Sequence, residues 1–244
     1  MHSDRKNIKK IEKDGETIMM IKVCGMREPD NIRAVAELGV DMIGFVFCKD
    51  SPRYVGSIST HAGLIPDMAD ESLINSAKEP ARVGVFVNEM PQTVITHAYN
   101  YELDYIQLHG SESGIYIDNL RRTLVPDILP DVKIIKAISV GQAEDVERWH
   151  EYDGHADMLL FDTKCEAHGG SGRHFDWSLL AAYDGHLPFL LSGGIRPEDA
   201  EAVRSFHHPR CMGIDLNSGF EDEPGVKNLE KLRRFIDEVD TVHS

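Results

Sequence analysis

The sequence predicts a single-domain α/β protein, a (β/α)8 barrel, on three observations. Eight short apolar runs alternate with stretches of helical spacing within 244 residues. Several of those runs are apolar almost throughout, as parallel strands buried on both faces tend to be. No Pro/Ser-rich linker or low-complexity tract divides the chain, so one core serves its length.

Residues 1–18 are polar and lysine-rich and lack the apolar stretch of a secretory signal. They are expected to form a poorly ordered extension ahead of a barrel over 19–244. The first strand is "IMMIKVC" (18–24), and Pro29 then starts a helix that aligns Ile32, Val35, Ala36 and Leu38. "MIGFVF" (42–47) and "RVGVFV" (82–87) are the second and third strands, separated by a poorly patterned helical region over 56–80. "YIQL" (105–108) and "VKIIKAI" (132–138) flank a long connection, 110–131, that carries Pro126 and Pro130. "MLLFD" (158–162), "FLLS" (189–192) and "GIDL" (213–216) complete the set. After Pro197 a helix aligns Ala200, Val203 and Phe206, and the last helix is marked by Val226, Leu229, Leu232 and Ile236.

A net charge of -15 argues against nucleic acid and anionic membrane surfaces as partners. It leaves room for a small anionic ligand, because backbone dipoles bind phosphate even on an acidic protein. The four cysteines, at 24, 48, 165 and 211, form no CxxC pair and no metal-ligand spacing. They point to a reducing, cytoplasmic setting. No apolar run approaches transmembrane length.

In a (β/α)8 barrel, functional groups gather at the carboxyl ends of the strands. Cys24 ends the first strand and Asp162 the sixth, which gives them one address. By itself Cys24 reads equally as a small packing group, and Asp162 as a carboxylate that orders the following loop. Three glycine-bearing turns fall late: "HGGSGRHFDW" (168–177), "SGGIRPEDA" (192–200) and "DLNSGFE" (215–221). Loops after strands seven and eight are the usual phosphate address of this fold, and Gly193 and Gly194 stand just before a proline-started helix whose free amides can point at an anion.

Seven segments occur in an order that resembles the phosphoribosylanthranilate isomerases of tryptophan biosynthesis. They are "KVCGM" (22–26), "GFVFCKDSPRYV" (44–55), "VGVFVNE" (83–89), "YIQLHG" (105–110), "LLFDTKCEAHGGSGRHFDW" (159–177), "LSGGIRPEDA" (191–200) and "GIDLNSGFE" (213–221). The likeness runs from about Met20 onward. It implies an Amadori rearrangement of N-(5-phosphoribosyl)anthranilate to 1-(2-carboxyphenylamino)-1-deoxyribulose 5-phosphate, with no metal and no organic cofactor. By resemblance Cys24 is the general base, Asp162 the general acid and Arg53 the holder of the anthranilate carboxylate. The phosphate falls to Gly193, Gly194, Ser218 and Gly219. Met26, Cys48 and Lys49 depart from the commoner family pattern without removing any of these groups. Monomer and homodimer both remain open.

The chemistry suits these residue types. Ring opening needs an acid at the ribose ring oxygen, and the protonated imine that forms is the electron sink for removal of the C2′ proton. A free thiol titrates at about 8.5 and a free aspartate at about 3.9, so each needs its surroundings to bring it into range. His109 ends the fourth strand at the same mouth and is expected to order structure. Gln107 reads as too deep to touch substrate. Asp215 and Asp176 read as loop-ordering carboxylates. Two rivals stand beside the isomerase. An epimerase or aldolase barrel would need a metal cluster or a Schiff-base lysine, for which Lys136 is the candidate. A non-catalytic phosphate-ligand binder would need neither Cys24 nor Asp162.

Overall fold

The structure, a computed structural model, describes residues 12–13, 16–17, 19–56, 79–163 and 176–240. Eight strands form the barrel: β1 Met20–Val23, β2 Met42–Val46, β3 Ala81–Phe86, β4 Tyr105–Leu108, β5 Lys133–Val140, β6 Met158–Thr163, β7 Phe189–Leu191 and β8 Cys211–Leu216. They pair in chain order, all parallel, and β8 closes the ring against β1. The expected (β/α)8 architecture is therefore present.

Side chains alternate along each strand, and the alternation splits the core in two. Met20, Met42, Val83, Tyr105, Ile135, Met158, Leu160 and Leu190 fill the barrel interior. Ile21, Val23, Ile43, Phe45, Phe86, Ile106, Ile134, Phe161 and Ile214 face outward, among the helices. A strand buried on both faces carries few polar residues, which is why the apolar runs were legible.

The helices are α1 Pro29–Ala36, α2 Pro91–Asn100, α3 Gly114–Leu124, α4 Ala143–Val146, α5 Ala200–Ser205 and α6 Leu229–Asp240. Proline occupies the first turn of α1 and α2, where its missing N–H has no intrahelical partner to lose. The long 110–131 connection contains α3, started by the Ser113 side chain, which accepts from the Tyr116 N–H. Between β6 and β7 the described connection is a 3-10 helix, Trp177–Ala182, capped by the Asp176 side chain, which accepts from the Ser178 N–H. Asp176 thus orders its loop, as expected.

Two boundaries differ from the sequence reading. Val226 belongs to no helix: Val226–Lys227 pairs antiparallel with Glu221–Glu223 in a short ribbon, and α6 starts at Leu229. The turn of the ribbon is made at Gly225, in the left-handed region at φ 91°. Leu38 and Phe206 lie just past the ends of their helices but still pack on the core. Most of the 56–80 region, most of the 168–177 turn, Cys165 and the bulk of 1–18 lie outside the described residues. Of the last, Glu12–Lys13 and Glu16–Thr17 pair as a two-stranded ribbon. Among the described residues no helix is long and apolar enough to cross a membrane.

Candidate active site

Met20, Lys22 and Cys24 share the inward face of β1, stepping from the apolar plug to the mouth. The layer above the plug is polar: Lys22, Gln107, Ser192 and Asp215 are buried there. The Lys22 Nζ donates to Asp215 Oδ1 at 2.8 Å, and Ser192 Oγ donates to Asp215 Oδ2 at 3.3 Å. Asp215 is thus a partner to a buried ammonium rather than a loop carboxylate.

Cys24 stands one step higher, buried against Val46, Val85 and Cys48. Its N–H donates to Leu216 O at 2.8 Å and the Met26 N–H donates to Gly44 O at 2.9 Å, so the turn is tied to β8 and β2. Gly25 between them has φ 77°, and a Cβ there would lie 2.5 Å from Arg53 Cδ and 2.7 Å from Asn217 Oδ1. Only glycine fits both the backbone and the space. Burial pushes the Cys24 thiol up, and Asp215 pushes the same way; the Lys22 and Lys227 ammonium groups oppose the rise. For Lys22, burial pulls down, but Asp215 and Cys24 outweigh it and raise the ammonium above its ordinary value.

Asp162 stands at the end of β6, three places from β1 around the ring. Its Oδ1 accepts from the Thr163 N–H at 2.8 Å, and its Oδ2 lies 3.1 Å from His109 Nε2. The Gln107 Nε2 lies 3.0 Å from His109 Nδ1. With the amide donating, the ring proton sits on Nε2 and points at the carboxylate. His109 therefore does more than order a loop: it holds Asp162, and the buried Gln107 holds His109.

Arg53 also reaches the mouth, but in company. Its Nε and Nη2 donate to Glu221 at 2.8 and 2.6 Å, and Lys227 Nζ meets the same carboxylate at 2.5 Å. Lys227 Nζ also donates to Asn217 Oδ1 at 2.9 Å. The bond to Glu221 raises the guanidinium's hold on its proton. Burial pushes Glu221 up, yet Arg53 and Lys227 together bring it below the usual carboxylate range. Burial also pulls Lys227 down, opposed by Glu221.

The late turns converge. A Cβ on Gly193 would lie 2.2 Å from Thr163 Oγ1 and 3.0 Å from Asp162 Oδ1. One on Gly219 would lie 2.3 Å from Ile195 O. The turn after β8 thus rests on the turn after β7, and that turn rests on the end of β6. Gly193 and Gly194 have φ 92° and 73°, and Ser218–Phe220 forms a single 3-10 turn.

Lys136 does not face this site. It points outward from β5, where its ammonium donates to Leu108 O, Gly110 O, Ala137 O and Glu112. Burial holds it below its ordinary value, with Glu112 opposing. The lysine inside the barrel is Lys22, which the sequence reading passed over. Its parity with Cys24 was the available signal. Glu221 and Lys227 were also missed, and no spacing in the chain points to them. Among the described residues no group of three or more His, Cys, Asp or Glu is placed to hold a metal ion.

Comparison with known proteins agrees with this geometry. The family model described as N-(5′-phosphoribosyl)anthranilate (PRA) isomerase matches residues 21–238. An N-(5′-phosphoribosyl)anthranilate isomerase of Parabacteroides distasonis is 48% identical over 221 residues, covering 91% of this chain and 93% of the relative. The crystal structure of phosphoribosyl anthranilate isomerase from Thermotoga maritima superimposes with TM-score 0.71 at 33% identity, over 92% of this chain and all (100%) of that one. A phosphoribosyl anthranilate isomerase in complex with reduced 1-(o-carboxyphenylamino)-1-deoxyribulose 5-phosphate gives TM-score 0.69 at 30% identity, with coverage of 92% and 100%. The chain belongs to the N-(5′-phosphoribosyl)anthranilate isomerase family.

Proposed function

We propose that Cys24 and Asp162 carry out the two proton transfers of the isomerase reaction that family membership assigns to this chain, a step of tryptophan biosynthesis. Asp162 gives its proton to the ribose ring oxygen; the C1′–O bond breaks and the anilino nitrogen becomes a protonated imine. The Cys24 thiolate then removes the C2′ proton, and its electrons neutralise the imine to an enolamine. Loss of the enol proton and gain of one at C1′ give the aminoketose. The observation that carries this reading is the meeting of a thiol beside a fixed ammonium and a carboxylate held by His109 at one barrel mouth. The test is a coupled assay with freshly generated N-(5-phosphoribosyl)anthranilate, followed by fluorescence and absorbance. Activity that persists without either group would overturn the assignment.

Because burial pushes the Cys24 thiol up, the reactive anion is the minor form at neutral pH. The sign follows directly: a base with a raised pKa gains its active form as pH rises. The kcat/KM of the parent is expected to combine this gain with the loss of the protonated acid at Asp162, giving a profile with two limbs, and a rate independent of pH throughout would contradict the acid–base pair.

Arg53 is proposed to hold the anthranilate carboxylate. Its Nε–Nη2 edge is occupied by Glu221, so the substrate contact falls to the Nη1 side. A charge-assisted bond of this kind contributes about 1.5–3 kcal/mol. Arg53→Ala is expected to raise KM roughly ten- to a hundredfold, with Arg53→Lys recovering part because an ammonium lacks the fork. An unchanged KM with a lower kcat would give Arg53 another task.

The phosphate is proposed to sit on the turns at Gly193–Gly194 and Ser218–Gly219. Their contact through Ile195 and Gly219 supports a single anion pocket. Crystals grown with sulfate or inorganic phosphate are expected to show the anion there. Density for it elsewhere at the mouth, with these turns empty, would reassign the pocket.

A further inference from the structure

The charged groups around Cys24 do not balance. From its own strand comes Lys22, paired with Asp215 of β8. From the ribbon after β8 come Lys227 and Glu221, and from the loop after β2 comes Arg53, paired with Glu221. Gly44, Val46 and Val85 add no charge, and the Cys48 thiol packs beside them. Among the described residues the set holds three cations, Lys22, Arg53 and Lys227, against two carboxylates, Asp215 and Glu221.

Burial makes this imbalance consequential. The side chains of Lys22 and Lys227 are 0% exposed, those of Asp215 and Glu221 are 6% exposed, and that of Arg53, the third cation, is 19% exposed at the edge of the group. Counter-ions in water cannot reach the buried groups, and charges in a low-dielectric setting act strongly on one another. The Lys227 Nζ touches the Glu221 carboxylate and the acceptor oxygen of Asn217, contacts that oppose the effect of burial on its charge. The ribbon that carries it is fixed: the Lys227 N–H donates to Asn31 Oδ1 at 2.8 Å and its carbonyl accepts from Asn31 Nδ2 at 2.9 Å.

We infer that Lys227 and Glu221 are positioning residues that set how readily Cys24 ionises, Lys227 favouring the thiolate and Glu221 restraining that pull. Lys227 acts through space on the thiol, and Glu221 tempers both Lys227 and Arg53. This rests on Cys24 as the base but goes beyond it, since neither residue need touch the reacting atoms. The opposition of Lys22 and Lys227 to the burial-driven rise at Cys24 points the same way.

The test uses two charge-removing variants with opposite expected signs. Thiolate ultraviolet absorbance is titrated against pH in the parent and in each variant. The same titration on matching Cys24→Ala proteins is subtracted, so that Cys48, Cys165 and Cys211 cancel. Lys227→Gln is expected to move the Cys24 titration up by about one pH unit or more, and Glu221→Gln to move it down by a similar amount. The acidic limb of kcat/KM should follow in each case. At a fixed pH below the limb, Lys227→Gln should then lose about tenfold in kcat/KM and regain it in more alkaline solution. A purely structural role would lower kcat without moving the limb. Titrations that stay put, or that move the same way in both variants, overturn the inference. If Lys227→Gln does not fold, Glu221→Gln decides alone: a downward move supports the inference and no move overturns it. Full activity in Cys24→Ala would instead overturn the base assignment, and the titration would still report on the cluster.

Discussion

Replacement of Cys24 by alanine is expected to lower kcat/KM by about two to four orders of magnitude while leaving the barrel folded, and Asp162→Asn should do the same. Each change removes proton-transfer capacity with little change in volume. The phosphate turns and Arg53 remain in place, so both variants should still bind a product analogue. Cys24→Ser should also be poor, because a hydroxyl yields almost no anion near neutral pH. The pH profile of the parent should be bell-shaped, and any variant with measurable activity should lack one limb. Near-parental kcat/KM in Cys24→Ala, together with several kcal/mol of lost stability, would make the thiol a packing group of the Val46–Val85 cluster and nothing more.

The largest effect on stability is expected at Asp215. Asp215→Ala would leave the Lys22 ammonium buried with no carboxylate beside it. Breaking a buried pair from one side costs about 3–5 kcal/mol, which for a chain of this size lowers Tm by roughly 6–20 °C. The paired replacement, Lys22→Met with Asp215→Leu, removes both charges and should recover much of that loss, since apolar isosteres of buried pairs are often neutral or better. Calorimetry on the two single variants and the double variant measures the coupling. Additive losses would show that Lys22 and Asp215 do not depend on each other. Because folding raises the Lys22 ammonium above its unfolded value, its contribution is complete below the ordinary lysine range and fades only as pH climbs through the raised value.

Strand positions were legible because burial on both faces writes near-continuous apolar runs, and the ends moved by only a few residues. Val226 misled because it stands three residues before Leu229, a helical spacing, although Pro224 and Gly225 already turn the chain back on itself. Cys24, Asp162 and Arg53 reach the mouth because strand ends and a loop after a strand fix their address. The choice of Lys136 over Lys22 as the strand lysine of interest was a parity error: one points out of the barrel, the other in. The Arg53–Glu221–Lys227 group is of another kind. Arg53 and Glu221 are 168 residues apart, and only closure of the ring brings them together.

That closure has a consequence for how the polypeptide is made. The ammonium of the first strand finds its carboxylate 193 residues later, on the last one. A nascent chain on the ribosome carries Lys22 from the start, yet has nothing to neutralise it at depth until β8 emerges. Long-range closure of this sort is entropically slow and comes late. A chain cut short before Asp215 should keep its helical segments but leave the β1 amides open to hydrogen exchange. Addition of the missing C-terminal segment in trans should close them.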